Sequence, residues 1–290
     1  MTTTADDHLL SAEGVTVRFG GLTALDGVGL RVAPGTVAGL IGPNGAGKTT
    51  LFNVLSGVLR PDSGTLAWKG KPPPGRGPHR LARAGIARTF QGLNLFPTMT
   101  VLENVVAGAD RLARGGPLSL VTGLGRHHGD ERELRARALA ALDRFGVADH
   151  AHRLPGTLPY GVQKHVALAR ACVAEPELLL LDEPASGLSA REMDALADRI
   201  RDLRQSMAVV LVEHHMDLVM AVCDHIVVLD FGRVISTGTP DQVRSDPAVT
   251  RAYLGEPATE STRAPHAAPA GSADASRTDP ADRTDDGAAR

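Results

Sequence analysis

The chain has 290 residues, of which 42% are hydrophobic and 3% aromatic, and its formal net charge is −2. A chain of this length can bury a sizeable core as one large domain or two smaller ones. Its net charge is near neutral and its basic residues are spread along the chain, so the sequence does not indicate a basic surface that binds nucleic acid. No apolar run reaches the roughly 20 residues that span a bilayer.

Strand-like apolar runs alternate with helical segments from residue 9 to residue 256. This alternation predicts an α/β domain with a mostly parallel sheet. The predicted strands, in chain order, are Val15–Phe19, Thr36–Ile41, Gly64–Trp68, Ile86–Phe90, Leu178–Asp182, Val209–Val212, Ile226–Asp230 and Arg233–Ser236.

Two stretches depart from this alternation. Val101 to Leu154 reads VLENVVAGADRL, a glycine-rich break and DERELRARALAALDRFGV, with apolar residues at helical spacing. We expect a helical subdomain there, at about residues 101–175, inserted into the α/β core. From residue 257 on, large apolar residues almost disappear. Because such a segment cannot bury enough surface to offset its ordering entropy, we predict that Pro257–Arg290 is disordered.

Gly42–Thr49 reads GPNGAGKT and matches the phosphate-binding loop pattern G-x-x-x-x-G-K-[ST]. It follows a predicted strand and precedes the helical run TTLFNVLSGV, a context that a chance glycine-rich turn carrying Lys-Thr does not explain. Glycines let backbone N–H groups approach phosphate oxygens, and the helix N-terminus adds partial positive charge. We expect Lys48 to reach the β- and γ-phosphates of a nucleoside triphosphate and the Thr49 hydroxyl to ligate Mg²⁺.

A second motif, LLLLDEP, spans Leu178–Pro184. Four consecutive leucines suit a strand that is buried on both faces of a parallel sheet. Two carboxylates follow at the carboxyl end of the strand, which is the edge where ligands bind in open α/β sheets. We expect Asp182 to hold Mg²⁺ and Glu183 to act as the general base on the attacking water.

The order and spacing of these motifs resemble those of the ATP-binding cassette (ABC) transporter ATPases, from residue 10 to residue 256. The residues that carry the resemblance are Gly42–Thr49, Gln91, Leu158–Gln163, Asp182–Glu183 and His214. It implies a P-loop ATPase domain of α/β class, with a mostly parallel sheet core, an antiparallel β region and an inserted α-helical subdomain. It also implies ATP and Mg²⁺ as cofactors.

The resemblance assigns further roles. Gln91 is expected to contact Mg²⁺ or the attacking water, His214 to touch the γ-phosphate, and Phe19 to stack on adenine unless it is a core phenylalanine. The expected catalytic residues are Glu183, His214 and Gln91, and the expected Mg²⁺ ligands are Thr49, Gln91 and Asp182. The expected nucleotide contacts are Phe19, Gly42, Pro43, Asn44, Gly45, Ala46, Gly47, Lys48, Thr49, Thr50, Leu158, Pro159, Tyr160, Gly161 and Val162.

Two histidine pairs are not expected to bind metal. His214 and His215 are neighbours whose side chains should diverge, with no third ligand expected nearby. His127 and His128 are expected in an exposed loop.

LPYGVQ, at Leu158–Gln163, stands where the family signature reads LSGGQ. In the family, two cassettes pair head to tail, and the signature serine of one donates to the γ-phosphate bound by the other. Here Pro159 replaces that serine and has no donor, although the Gly161 backbone and the following helix N-terminus could still face a phosphate. Ser189 stands where the cross-interface loop of the family usually ends in Asp. We therefore expect an unlike partner ATPase with a standard signature.

Longer segments narrow the resemblance to one subgroup. RFGGLTAL, ARTFQGLNLFPTMTVLENV, VEHHMDLVM and GTPDQVRSDPAVTRAYLGE resemble the larger ATPase of bacterial high-affinity branched-chain amino acid importers. Importers of urea or short amides share much of this pattern. The expected partners are the unlike ATPase, two membrane permease subunits and an extracytoplasmic substrate-binding protein, with no nucleic acid.

The expected location is the cytoplasmic face of the cell membrane, as a peripheral subunit. The first residues, MTTTADDHLL, lack the basic start and apolar centre of a secretory signal. Cys172 and Cys223 both lie in apolar helical stretches, which predicts buried, reduced thiols.

Three alternatives are open. A soluble ABC ATPase that acts on ribosomes or DNA would usually carry two cassettes, a long coiled coil or zinc modules, and the sequence has none of these signs. An exporter ATPase shares the ATP chemistry and is not distinguished by it. A phosphate-loop kinase is disfavoured by the signature-like segment and His214, and a GTPase by the lack of an N/T-K-x-D motif.

Overall fold

The computed structural model describes residues 8–73, 75, 77–89, 92–109 and 127–254, all of which lie in the compact unit Met1–Gly255. Pro257–Arg290 lies outside the described residues, so its disorder stays a prediction, as do the domain limits at residues 9 and 256. Within the described ranges, no helix combines the length and the apolar character that crossing a membrane requires.

The strands of the described residues are β1 (Leu10–Phe19), β2 (Leu22–Val32), β3 (Val37–Ile41), β4 (Ser63–Trp68), β5 (Ile86–Arg88), β6 (Leu178–Asp182), β7 (Ala208–Val212), β8 (His225–Asp230) and β9 (Arg233–Gly238). The helices are α1 (Lys48–Leu55), α2 (Pro78–Arg83), α3 (Val101–Gly108), α4 (His127–Arg144), α5 (Tyr160–Cys172), α6 (Ala190–Leu203), α7 (Met216–Val222), α8 (Pro240–Arg244) and α9 (Pro247–Leu254). Short 3-10 turns lie at Ala148–His150 and Pro155–Thr157.

The larger sheet has six strands in the order β5-β6-β7-β3-β8-β9. All neighbouring strands are parallel except β8 and β9. This confirms the predicted α/β fold with a mostly parallel sheet. Because parallel strands end at the same edge, the loops that follow β3, β6 and β7 lie side by side.

The central strands of this sheet are buried at every residue. Leu179 and Leu181 of β6 belong to one hydrophobic cluster with α3, α4 and α5, whereas Leu178 and Leu180 belong to a second cluster with β1, β2 and α1. This alternation follows the two-residue period of a strand and confirms that β6 is buried on both faces. Removing each such leucine side chain from water contributes about 1.5–3 kcal/mol.

A separate antiparallel sheet, in the order β2-β1-β4, forms the expected antiparallel region. β2 is not among the predicted strands. Its buried positions Leu25, Val28 and Leu30 break strict alternation, because a register shift between Val28 and Leu25 takes in Gly27, whose φ is 67°. A bulge of this kind hides the two-residue period from sequence inspection.

The stretch that was expected to be helical contains α3, α4 and α5, which pack against one another. Thr100 and Glu103 form a capping box at the start of α3, and Leu142 and Phe145 of α4 are buried in the core. The predicted subdomain limits, residues 101 and 175, stay a prediction.

The expectation of a loop at His127 and His128 is wrong, because the backbone of α4 begins there. Ion pairs one helical turn apart, Glu131–Arg135 and Glu133–Arg137, favour a helix in this charged segment. The side chains of both histidines lie outside the described residues.

Cys172 and Cys223 are buried free thiols, as predicted. Burial raises the pKa of each to about 12. Both therefore stay protonated near neutral pH and do not act as thiolate nucleophiles.

Candidate active site

The loop Gly42–Gly47 connects the buried strand β3 to α1. Gly42 has φ 148°, and a Cβ there would collide with the carbonyl oxygen of Leu229. Gly47, the N-cap of α1, has φ 100°, and a Cβ there would lie 2.7 Å from the carbonyl oxygen of Ala24. Both positions require glycine for steric reasons, and the resulting path leads the backbone into the N-terminus of α1, where anions are favoured.

Exposure separates the other predicted residues of this loop into two groups. Ala46 is buried, and its carbonyl oxygen accepts a hydrogen bond of 3.0 Å from the Gly232 N–H. The remaining residues are exposed or half-buried and so are open to a ligand: Pro43, Asn44, Gly45, Thr49 and Thr50.

Lys48, the first residue of α1, is buried and turns its ammonium group back into the loop. Nζ donates hydrogen bonds of 2.7 Å to the Gly42 carbonyl oxygen and 2.8 Å to the Pro43 carbonyl oxygen. Burial lowers the pKa of Lys48, and the negative charge of Glu183 opposes that shift. An ammonium group held here can neutralise a phosphate bound by the loop.

Asp182 is the last residue of β6, and Glu183 begins the loop that follows. Asp182 is buried, and its Oδ2 lies 3.6 Å from Arg88 Nη2. Burial raises the pKa of Asp182, and the charge of Arg88 opposes that shift. Glu183 has φ 46°, which is uncommon outside glycine, and its N–H donates a hydrogen bond of 2.8 Å to the Val212 carbonyl oxygen of β7. This turn takes the chain out of the sheet directly after the strand.

Arg88, which the sequence motifs do not single out, ends β5 beside Asp182. Its Nη1 donates hydrogen bonds of 2.9 Å to Asn53 Oδ1 and 2.7 Å to Ser56 Oγ, and its guanidinium carbon lies 4.6 Å from the centroid of the Phe52 ring. Burial lowers the pKa of Arg88, and Asp182 opposes that shift. An arginine at the carboxyl end of an apolar strand was the available signal, because it falls at the same edge as the motif carboxylates.

Glu213 likewise has no role assigned by the sequence motifs and is fully buried directly after β7. Its Oε1 accepts a hydrogen bond of 2.7 Å from the Ala185 N–H, and its Oε2 accepts hydrogen bonds of 2.9 Å and 3.1 Å from the N–H groups of His214 and His215. Burial favours the protonated acid, but hydrogen bonds from the three neighbours leave the pKa of Glu213 below its usual value. A glutamate that directly follows an apolar strand was the sequence signal.

His214 is half-exposed, and its Nδ1 lies 3.7 Å from Glu213 Oε2. The expectation that the paired histidine side chains diverge is wrong, because the ring centroids of His214 and His215 lie 4.1 Å apart. The shared carboxylate holds both residues, and the possible ligand atoms of all three lie within 4.8 Å of one another, so the expectation that no third ligand lies nearby is also wrong. Since Glu213 already accepts hydrogen bonds from both histidines, hydrogen bonding accounts for this cluster.

Phe19 and Gln91 have different outcomes. Phe19 ends β1 with 52% of its surface exposed, so the alternative of a core phenylalanine is wrong. Its contact with adenine stays a prediction. Gln91 lies outside the described residues, so the structure does not place it.

The signature-like segment opens α5 with Pro159 as N-cap and without a capping hydrogen bond from its side chain. A Cβ at Gly161 would collide with the carboxylate of Glu192, which Ser189 holds through hydrogen bonds of 2.6 Å from its Oγ and 2.8 Å from its N–H. Ser189 therefore acts locally as the first residue of a capping box. The segment alternates in exposure, with Leu158 and Gly161 buried, Val162 half-buried, and Pro159 and Tyr160 exposed.

Lys164 joins α5 to the loop that follows Glu183. Its buried ammonium group donates hydrogen bonds of 2.5 Å to the carbonyl oxygens of both Pro184 and Ser186. Burial lowers the pKa of Lys164, and the carboxylates of Glu213, Glu183 and Glu192 oppose that shift. The signature-like helix and the loop of the predicted base are thus directly connected.

The sheet order β6-β7-β3 gathers Lys48, Asp182, Glu183 and His214 at one edge of the sheet. Together they offer a cation, two carboxylates and an imidazole. Such a set can bind a phosphate chain and activate water.

Comparisons with known proteins show the family of the chain. A family profile described as ABC transporter matches residues 25–186, and a profile described as branched-chain amino acid ATP-binding cassette transporter matches residues 233–259. The chain is 42% identical, over 250 residues, to the high-affinity branched-chain amino acid transport ATP-binding protein BraF of Pseudomonas aeruginosa, and 41% identical to LivG of Escherichia coli, which has the same description. Each match covers 86% of this chain and 98% of the relative.

A solved structure extends the agreement to three dimensions. The crystal structure of a nucleotide-free ATP-binding cassette from an ABC transporter superimposes with a TM-score of 0.75 at 31% identity. The match covers 86% of this chain and 100% of the solved one. The chain therefore belongs to the ATP-binding cassette transporter family and is one of its ATPases.

Proposed function

We propose that this chain hydrolyses ATP, with Mg²⁺, as the energy-supplying subunit of an importer for branched-chain amino acids. The observation that carries the proposal is the convergence of Lys48, Asp182, Glu183 and His214 on neighbouring loops of one sheet edge. Phosphoryl transfer to water depends on positioning and charge stabilisation, and this set supplies both.

Each residue of the site has a distinct task. Lys48 neutralises charge on the β- and γ-phosphates, and backbone N–H groups of the phosphate loop bind their oxygens. Glu183 orients the water and accepts its proton as the new oxygen–phosphorus bond forms and ADP leaves. His214 donates to the γ-phosphate from its half-exposed position. Phe19, exposed at the end of β1, stacks on adenine, and such stacking contributes roughly 1–3 kcal/mol.

The oxygen donors of the site fit Mg²⁺, which prefers hard oxygen ligands. Asp182 offers a buried carboxylate and Thr49 an exposed hydroxyl. Burial disfavours the ionised form of Asp182, so a cation beside it would stabilise the carboxylate, as Arg88 already does in part. Gln91 is proposed as a further ligand on the resemblance alone. When bound, Mg²⁺ neutralises charge on the phosphate oxygens.

The departure at Pro159 supports an unlike partner ATPase. Proline has neither a side-chain hydroxyl nor an N–H group, so the segment has fewer donors for the nucleotide of the partner. A partner with a serine-bearing signature would complete the site of this chain. Changing that serine to alanine should slow hydrolysis by the pair, and unchanged ATPase activity would rule out the asymmetric arrangement.

Two permease subunits and an extracytoplasmic substrate-binding protein complete the proposed importer. A cleft lined by Arg83, Thr89, Phe96 and Arg170 reaches as far as Asp182 and Glu183. A permease helix seated in this cleft would lie next to the hydrolytic residues and would hold the chain at the cytoplasmic face of the membrane. Closure of the cassette pair on ATP, and reopening after hydrolysis, would then move the permease.

The proposed solute rests on the names of the relatives and on the profile that matches residues 233–259. Selection among solutes would belong to the membrane and extracytoplasmic subunits. Urea or a short amide is the second candidate solute, because the ATPases of importers for those solutes share much of the same sequence pattern.

The experiment that tests the proposal uses a tagged Glu183→Gln chain, recovered with ATP from detergent-solubilised native membranes and read by mass spectrometry. The substitution keeps the size of the side chain but removes the base. We therefore expect ATP binding and the closed pair to persist while hydrolysis falls by about 100-fold or more. The matched control is Glu177→Gln, an exposed glutamate beside the opposite end of β6 that pairs with Lys69, which should hydrolyse ATP normally.

Recovery of a second cassette with a serine-bearing signature, together with multi-spanning proteins, would support the importer. Recovery of ribosomes, of nucleic-acid-binding proteins or of nothing membrane-bound would contradict it. Normal hydrolysis by Glu183→Gln would contradict the assignment of the base.

A further inference from the structure

The loops that follow β6 and β7 are joined by a single buried carboxylate. We propose that Glu213 is a positioning residue, which sets the placement of Glu183 relative to His214. The inference rests on the proposed ATP hydrolysis, and it adds to that reaction a residue to which the sequence motifs assign no role.

Glu213 continues the hydrogen-bond ladder of the sheet beyond its last strand residues. The β6–β7 pairing ends at Asp182 and Val212, and the Val212 carbonyl oxygen accepts the Glu183 N–H at 2.8 Å. Two residues later, the acceptor for the Ala185 N–H is the side chain of Glu213, through Oε1 at 2.7 Å. The segment after the predicted base is thereby held against β7 even though it has left the sheet.

The second oxygen of the same carboxylate holds the histidine loop. Oε2 accepts the backbone N–H groups of His214 and His215 at 2.9 Å and 3.1 Å. These contacts determine how the chain turns as it leaves β7. Because one rigid carboxylate binds both loops, moving either loop alone would break a buried hydrogen bond to a charged acceptor, which is among the more stabilising kinds.

The segment Pro184–Ser186 is held at each of its residues. Lys164 binds the carbonyl oxygens of Pro184 and Ser186, and Glu213 binds the N–H group of Ala185 between them. The two side chains also attract each other, since the charge of Glu213 opposes the lowering of the pKa of Lys164. Glu183 is attached directly to the start of this segment, so its backbone has little freedom to shift.

The ring of His215 provides a spectroscopic signature of the same contact. Its Nδ1 lies 2.9 Å from Glu213 Oε2. A carboxylate can only accept, so this hydrogen bond requires a proton on Nδ1, which in the neutral ring makes Nε2 an acceptor. Nitrogen-15 chemical shifts of the imidazole distinguish this tautomer from the other one.

The test compares Glu213→Gln with Asp224→Asn in the full complex recovered from membranes. Asp224 is a matched control, because its carboxylate accepts the Val37 N–H at 2.9 Å at the amino end of β3, away from the catalytic edge. We expect Glu213→Gln to keep the Kd for ATP within about twofold and to lower kcat by about tenfold or more, because the loss lies in alignment and not in binding. The Gln amide has a single oxygen, so it can accept from the Ala185 N–H or from the histidine loop but not from both; with its NH₂ group facing His215, the ring proton moves to Nε2.

A second variant separates bridging from charge. Glu213→Asp keeps the carboxylate but is one methylene shorter, so it cannot reach both loops, and we expect kcat to fall here as well. Full kcat in Glu213→Asp would overturn the proposal. An equal loss of kcat in Glu213→Gln and Asp224→Asn would also overturn it. If Glu183→Gln is inactive while Glu213→Gln is fully active, only the positioning role fails; if both are fully active, the proposed site itself fails.

Discussion

Replacing Arg88 with methionine should destabilise the chain strongly, although the sequence motifs assign Arg88 no role. The pair with Asp182 spans 3.6 Å, and at an effective dielectric constant of about 20 Coulomb's law gives it about 4–5 kcal/mol. Only 16% of the Arg88 side chain and 9% of the Asp182 side chain are exposed. Removing one partner therefore leaves a largely buried, uncompensated carboxylate, for which we expect a loss of about 3–5 kcal/mol in the free energy of unfolding.

Urea unfolding of the full chain measures this loss. The matched control is Arg31→Met, which makes the same substitution in the exposed pair of Arg31 with Glu13, where the N–O distance is 2.9 Å. Solvent screening should limit the loss there to less than about 1 kcal/mol. If Arg88→Met loses no more stability than Arg31→Met, the argument from burial is wrong.

Two further predictions concern backbone strain and pH. Phe231 and Gly232 turn the chain between β8 and β9 with φ of 41° and 77°, and Phe231 is 87% exposed. Since asparagine adopts a positive φ more readily than phenylalanine, Phe231→Asn should raise the free energy of unfolding by about 1 kcal/mol. Thermal unfolding measures this, and a lower Tm would contradict it. Burial lowers the pKa of His165 from its ordinary value of 6.5, the charge of Arg199 lowers it further, and the charge of Glu192 opposes the shift. The unfolded chain therefore binds this proton more readily than the folded chain does. The free energy of unfolding consequently falls as the pH drops below 6.5. His165→Gln should reduce the stability lost between about pH 7 and about pH 5, and an equal loss would show that His165 does not contribute.

Short-range patterns made much of the fold predictable. The run Leu178–Asp182 predicts a buried strand because strand burial is visible in consecutive residues. Gly42–Thr49 predicts a loop between strand and helix because steric demands on glycine act within a few residues. β2 escaped prediction because the bulge at Gly27 disturbs the period on which such reasoning depends.

The supporting residues of the site were harder to predict, because their roles depend on the order of strands in the sheet. Arg88 meets Asp182 only because β5 lies beside β6, and Glu213 meets Ala185 only because β7 lies on the other side of β6. The sequence around each strand does not reveal which strands lie beside it in the sheet. The closeness of the His214 and His215 rings likewise follows from a shared carboxylate and not from their spacing along the chain.

Lys164 has a consequence for the timing of events in a cassette pair. In a head-to-tail pair of the kind that the family resemblance implies, α5 of this chain would face the nucleotide of the partner, while Pro184–Ser186 follows Glu183, the proposed base for the nucleotide of this chain. The buried ammonium group of Lys164, on α5, donates hydrogen bonds to the carbonyl oxygens of the first and last residues of that segment. A displacement of α5 would therefore also displace the segment. Occupancy of one site would then alter turnover at the other, which is cooperativity between two sites. Such cooperativity would be carried inside each chain by a single side chain.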